Sequence, residues 1–168
     1  MAEELVDIVD DDDNVSATVT RSEMRARRLQ HRSVGVVVMS TDGRLLIHRR
    51  SDSKDIWPGW WDIAAGGVVA SGESYDDAAR RELSEELGIA DAPIEHVGAS
   101  RYVGDDLAEI CHCYRIVHDG PFTFADGEIT EARWVTFDEL DVLRTVHRFL
   151  PDSIAMLLPL VRPAPIDE

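Results

Sequence analysis

The stretch GGVVASGESYDDAARRELSEELGI, residues 66–89, constrains the fold more than any other part of the chain. It begins as an apolar strand, passes through a small polar loop and continues with helical periodicity to a glycine. Ser74 is placed to cap the helix, with Asp77 at the third helical position reaching back, and Gly88 is placed to end it. On a wheel with Glu82 at the origin, Glu86 falls at about 40° and Glu85 at about 300°, so three carboxylates share one face. Leu83 and Leu87 border that face and supply an apolar edge for packing. Like charges at helical spacing repel, so carboxylates that stay ionised there need a cation. Hard oxygen ligands favour Mg²⁺, with Mn²⁺ as a substitute. An ordinary acidic helix balanced by Arg80 and Arg81 is the competing reading, and the helix by itself does not separate the two.

The bulk numbers bound the rest. A chain of 168 residues, 44% hydrophobic and 30% charged, has the size and core of a single domain covering 1–168. Its net charge of −16 excludes a nucleic-acid polymer as partner, because phosphate neutralisation needs a basic face. Small phosphorylated ligands stay open, since bound divalent cations reverse the local sign. Cys111 and Cys113 point the same way along a strand, where a disulfide is geometrically poor, and no further ligands at zinc spacing accompany them. Half-buried strand cysteines are expected. No basic leader and no apolar run of spanning length are present, so a cytoplasmic protein with no membrane partner is expected.

Along the chain, ELVDIVDDDDNVSATVTR reads as two short strands around a solvated acidic turn, Asp10 to Asn14. Thr20 followed by Glu23 is a capping-box pattern for a short helix. Arg21, Arg25, Arg28 and Arg32 fall close to one stripe there, either a phosphate-facing rim or an exposed basic face. SVGVVVMS and RLLIHRR flank the turn Thr41-Asp42-Gly43, a hairpin signal. WWDIAAGGVV reads as one strand, and IEHVGASRYV, AEICHCYRIVH and EARWVTF as three more. A helix is expected near Asp138–Val146, and DSIAMLLPLV as a last apolar helix. Strands outnumber helices with mixed connections, which implies an α+β sheet flanked by helices. The expected divisions are a hairpin and short helix over 1–33, a core over 34–150, and a helix and tail over 151–168.

The spacing decides between the two readings of the acidic helix. Gly67, five residues, Glu73, seven residues, then Arg81-Glu82-Leu83-Ser84-Glu85-Glu86-Leu87-Gly88-Ile89 matches the Nudix box at every defined position. Seven fixed residues at roughly 6% average usage make a chance match rarer than about one in a million. The chain resembles the Nudix, or MutT-like, hydrolases.

That resemblance implies a Nudix fold, a mixed β-sheet sandwiched between α-helices, here with an N-terminal β-hairpin extension. It implies a metal-dependent hydrolase in which water attacks phosphorus in a nucleoside diphosphate linked to a further group. Glu82 and Glu86 then stand as the main metal ligands, Glu85 as a third, and the Gly66 carbonyl as a backbone ligand. Arg81 steadies the glutamates, with Glu73 as its partner. Glu128 resembles the glutamate that relatives place before the last strand, as base or extra ligand, with Glu131 and Glu109 as competitors. Arg49, Arg50 and Lys54 are candidate phosphate contacts, their alternative being an exposed strand end. Trp57, Trp60 and Trp61 either stack on a base or, for at least two of them, fill a loop against the core.

A narrower resemblance reaches isopentenyl diphosphate isomerase through HRSVGVVV, LLIHRRSDSKDIWPGWWD and EICHCYRI. Ala65 stands where that enzyme has its cysteine and Gly67 where it has a metal-binding histidine, so isomerase-like activity is the weaker alternative. A non-catalytic Nudix-fold binding module is the third. The N-terminal hairpin and the apolar C-terminal helix could equally cover the core or a partner subunit in a homodimer.

Overall fold

The computed structural model describes residues 2–165. Strands β1 (Leu5–Val9) and β2 (Val15–Thr20) form the N-terminal hairpin. The Asp10 carboxylate accepts from the backbone N–H groups of Asp12 and Asn14 and closes the acidic turn. The turn is less solvated than its composition implies, because Asp13 accepts from Arg32 Nε at 2.7 Å and from the Tyr75 hydroxyl at 3.0 Å. Helix α1 (Arg21–Arg27) starts at Thr20, whose hydroxyl accepts from Glu23 N. The second arm of the expected box does not form, since the Glu23 carboxylate pairs with Arg27 at 2.6 Å.

The basic stripe divides. Arg21 and Arg25 converge on Asp55 at 3.4 and 3.1 Å. Arg28 is the left-handed cap that ends α1, and Arg32 already belongs to the next strand.

Strand β3 (His31–Met39) organises the sheet. The turn with Gly43 at φ +84° joins it to β4 (Leu45–Arg50). It also pairs antiparallel with β6 (Ala65–Val68) and parallel with β8 (Ala108–Val117), and it bridges to β1 at Ile8–His31. Strand β8 carries β7 (Glu95–Val103) on its other side, while β4 pairs with β5 (Trp61–Asp62) and β9 (Ile129–Val135). One parallel pair among antiparallel ones makes the sheet mixed.

Alternation sorts the two faces. Val34, Val36 and Val38 pack with Leu83 and Leu87 of helix α2 (Tyr75–Leu87). Val37, Cys111 and Cys113 pack on the other face with Leu140, Met156 and Leu157, from helices α3 (Phe137–Val146) and α4 (Pro151–Met156) and the residue that follows α4. Helix α5 (Leu158–Val161) completes that layer. This is the expected α+β arrangement of a mixed sheet between helices. No helix among the described residues is long and apolar enough to cross a membrane.

Three expectations about local structure are corrected. The apolar run 60–69 is two strands with different partners. Asp62 Oδ1 accepts from the N–H groups of both Ile63 and Ala64 and turns the chain from β5, beside β4, into β6, beside β3. The last apolar helix is broken after Met156, because Pro159 has no N–H to continue the ladder. The two cysteines are fully buried as free thiols, their sulfurs 4.0 Å apart.

The capping box that does close is at Thr136 and Glu139 of α3. Thr136→Ala is expected to lower stability by about 1 kcal/mol. Leu87→Ala, which empties a fully buried site between α2 and the sheet, should cost about 2–5 kcal/mol. Urea unfolding of both variants checks this, and a loss at Leu87 no larger than at Thr136 would contradict the packing.

Candidate active site

Helix α2 presents the box. Ser74 Oγ accepts from Asp77 N at its start, and Gly88 at φ +69° ends it. Gly88 accepts the left-handed conformation that a side chain would strain. Because the apolar edge of α2 is buried, Glu82 and Glu86 are carried inward and are only 7% and 4% exposed. Glu85 lies at the solvent margin, its side chain 53% exposed.

Arg81 ties these groups together. Its Nε and Nη2 grip Glu73 at 2.8 and 3.0 Å, its Nη1 donates to Glu82 at 2.8 Å and to Glu85 at 3.3 Å, and Nη2 also reaches the Val68 carbonyl. The bond to Glu73 raises Arg81 further into its charged range, against burial. Burial acts to raise Glu73, and the Arg81 pair outweighs it, so that carboxyl is held below its ordinary value. Glu82 is raised by burial, with Arg81 opposing. Glu86 is raised well above the usual carboxylate range, by burial and then by the neighbouring charge of Glu82.

Two glycines of β6 close in on these carboxylates. A Cβ on Gly67 would meet Glu82 Oε1 at 2.5 Å, and Gly66 N lies 3.4 Å from Glu86 Oε2. Only glycine leaves the backbone so close to the acids. Lys54 reaches in from the loop after β4 and donates to Glu128 at 2.6 Å. Burial acts to raise Glu128, and Lys54 outweighs it, so Glu128 is held low while it faces Glu86. Of its two competitors, Glu131 pairs with Arg133 at the surface, and Glu109 is buried on β8, where it lines the cavity that Lys54, Gly66 and Gly67 also line.

Of the three basic candidates, Arg50 and Lys54 line one cavity together with Gly66 and Gly67. Arg49 points to the opposite side of β4, bonded to Asp52 and Thr130, and lines a separate cleft with Trp60 and Arg148. Trp57 and Trp61 are buried, and Trp60 stacks on Trp57 at 6.0 Å. Ala65 packs in the core on the α2 side and offers no thiol. Among the described residues no group of three or more His, Cys, Asp or Glu side chains is gathered to hold a metal ion as it stands. Glu85 is drawn outward to Arg81, and Glu128 is held by Lys54.

The cavity continues inward to residues that the motif did not indicate: Arg25, His31, Ser33 and Asp152. A polar residue spaced by two within an apolar strand was the available signal for His31 and Ser33. Asp152 had none, since only packing brings α4 over β3. Burial lowers His31 to about 4, so it is neutral at physiological pH.

A folded-state pKa below the unfolded value of 6.5 means that stability is complete above pH 6.5. It is lost as pH falls from there toward 4, where only the unfolded chain takes the proton. The shift corresponds to roughly 3 kcal/mol. Relative to His31→Gln, the unmodified chain should therefore lose about that much stability between pH 6.5 and 4 in urea unfolding series. Parallel pH profiles would show that His31 is not buried neutral.

The NUDIX domain family model matches residues 29–157. An uncharacterised Nudix hydrolase of Yersinia pestis is 42% identical over 154 residues, which span 92% of this chain and 84% of the relative. The Nudix hydrolase YfcD of Escherichia coli K12 is 37% identical over 154 residues, with the same coverage of both chains. The crystal structure of DR0079 from Deinococcus radiodurans is similar with a TM-score of 0.81 and 29% identity, covering 95% of this chain and 98% of that one. With the box, the mixed sheet and these likenesses in agreement, the chain belongs to the Nudix family and is a Nudix hydrolase.

Proposed function

We propose that this chain hydrolyses the diphosphate bond of a nucleoside diphosphate linked to a further group, with water attacking phosphorus and Mg²⁺, or Mn²⁺ in its place, as the cofactor. The observation that carries the reading is the pair of buried glutamates, Glu82 held by Arg81 and Glu86 beside the Gly66 N–H, set against a backbone of two glycines. Both carboxyls are raised by burial, Glu86 also by the charge of Glu82, and a divalent cation would restore their ionised form. The notch at Gly67, which a Cβ would fill, suits the close approach of backbone and ligand.

Glu82, Glu86 and the Gly66 carbonyl would hold the ion, joined by Glu85 once it leaves Arg81. Bound there, the metal would polarise phosphoryl oxygens and lower the pKa of an attacking water. Arg81 keeps Glu82 in place and, through its bidentate grip on Glu73, resists being drawn away. Glu128, held ionised by Lys54 and facing Glu86, is positioned to take a proton from water. Arg50 and Lys54 line the approach and offer charge to phosphate oxygens. Arg49, bonded on the far side of its strand, acts in phosphate binding only if the substrate extends there.

The test is phosphate release from a panel of nucleoside diphosphate compounds with Mg²⁺ and then Mn²⁺. Loss of partners behind a metal ligand costs 10–100-fold, so Glu86→Gln, which removes a ligand charge without changing shape, should lower turnover by about a hundredfold or more. Glu85→Gln should cost less. Calorimetric titration with each metal accompanies the assay. No metal binding at millimolar concentration and no turnover would favour a binding module, and unchanged turnover in Glu86→Gln would remove Glu86 from the site.

A further inference from the structure

Five buried side-chain polar atoms have no hydrogen-bond partner among the described residues: Arg25 Nη1, His31 Nε2, Ser33 Oγ, Arg50 Nε and Asp152 Oδ1. All five residues line one cavity of about 80 Å³. Folded proteins pair nearly all such groups, and each buried one left bare is costly. Five facing one space describe a wall made for a polar ligand.

The atoms divide by chemistry. Arg25 Nη1 and Arg50 Nε are donors that match phosphate oxygens. The other three are acceptors or can act as such. His31 Nδ1 lies 3.0 Å from the Leu29 carbonyl. A carbonyl only accepts, so Nδ1 carries the ring proton and Nε2 presents a bare lone pair. The parallel register sets His31 beside Glu109 and Ser33 beside Cys111 on one face of the sheet. Helix α4 lays Asp152 over them. His31, Ser33, Glu109 and Asp152 are each at least nine-tenths buried. Burial and the adjacent Glu109 push Asp152 up to about 9, and burial raises Glu109 as well, so each acid is costly to ionise without a cation beside it.

We propose that this inner wall receives a protonated primary amine at the end of a short chain of two or three carbons, esterified to the diphosphate that the box cleaves. The three N–H donors of an alkylammonium match His31 Nε2, Ser33 Oγ and Asp152 Oδ1, and its charge matches the acid pair. Size agrees. A water occupies about 30 Å³ in the liquid, so the cavity holds the equivalent of two or three waters, enough for an aminoethyl group and too little for a nucleobase. A hydrocarbon of that size would leave all three acceptors unpaired. Lys54, Gly66 and Gly67 belong to the cavity and also touch the box carboxylates or Glu128. The phosphates thus fall between the amine and the glutamates, and the nucleoside stays outside.

The inference rests on the hydrolase reading but is tested apart from it. The aminoethyl, trimethylaminoethyl, hydroxyethyl and ethyl esters of ADP are titrated into the full chain by calorimetry, with and without Mg²⁺, and turnover is then followed with Mg²⁺. The aminoethyl ester should bind at least about tenfold more tightly than each of the others, a difference of roughly 1.4 kcal/mol. In Asp152→Asn, and separately in Ser33→Ala, the ratio of aminoethyl to ethyl affinity should shrink toward unity. Comparison of the four esters on the unmodified chain does not depend on either variant folding. Equal affinities, a hydroxyethyl ester that binds as well, or no binding of the aminoethyl ester under either condition would overturn the amine pocket, even if hydrolysis occurs. Selective amine binding without turnover of any compound would uphold the pocket and overturn the hydrolase reading.

Discussion

Strand β3 is the constraint on which the rest of this structure depends. It pairs with four other strands, so its backbone is spent on hydrogen bonds and its side chains must serve both faces of the sheet. A strand buried on both faces has no solvent side to relax into, and a one-residue slip would exchange the two sets. Val34, Val36 and Val38 make the floor for α2. His31 and Ser33, at the alternate positions just before them, are committed to the opposite side, where only polar partners or a ligand can satisfy them.

The glutamates follow from that floor. Leu83 and Leu87 seat α2 on the valines, and the rotation that buries them also turns Glu82 and Glu86 inward. Burying carboxylates is unfavourable unless they are paired, and Arg81 supplies part of the pairing through a network that runs from Glu73 to Glu85. Beside them, β6 brings backbone without side chains. Gly66 and Gly67 are flat where any larger residue would strike Val34 or Glu82. Helix packing, charge and backbone access therefore meet at one place, which is why hydrolysis at phosphorus is the reading this site supports.

A second polar region lies on the other face, under α4, and shares a rim with the first. The two regions differ in character. The box side is held by an arginine and a lysine that already have partners. The inner side leaves its acceptors bare. The proposed hydrolysis belongs to the first region, and the proposed selection of the group attached to the diphosphate to the second.

What the sequence determined by itself was local and periodic. The hairpin at Gly43, the helix from Ser74 to Gly88 and the shared face of Glu82, Glu85 and Glu86 all follow from turn chemistry and 3.6-residue spacing, and the box spacing identified the family. The break at Asp62 was not legible, because an aspartate that caps its own next two N–H groups looks like any strand residue until a strand partner is lost. Arg49 and Arg50 looked equivalent in sequence, and pairing with β9 and β5 sent them to opposite faces. Only the tertiary structure decided that Asp152 stands over His31. Those residues are far apart along the chain, and no local propensity acts across such a distance. Their meeting depends on α4 docking against the face that β3 leaves open at Gly35, where Leu157 fills the space a side chain would take.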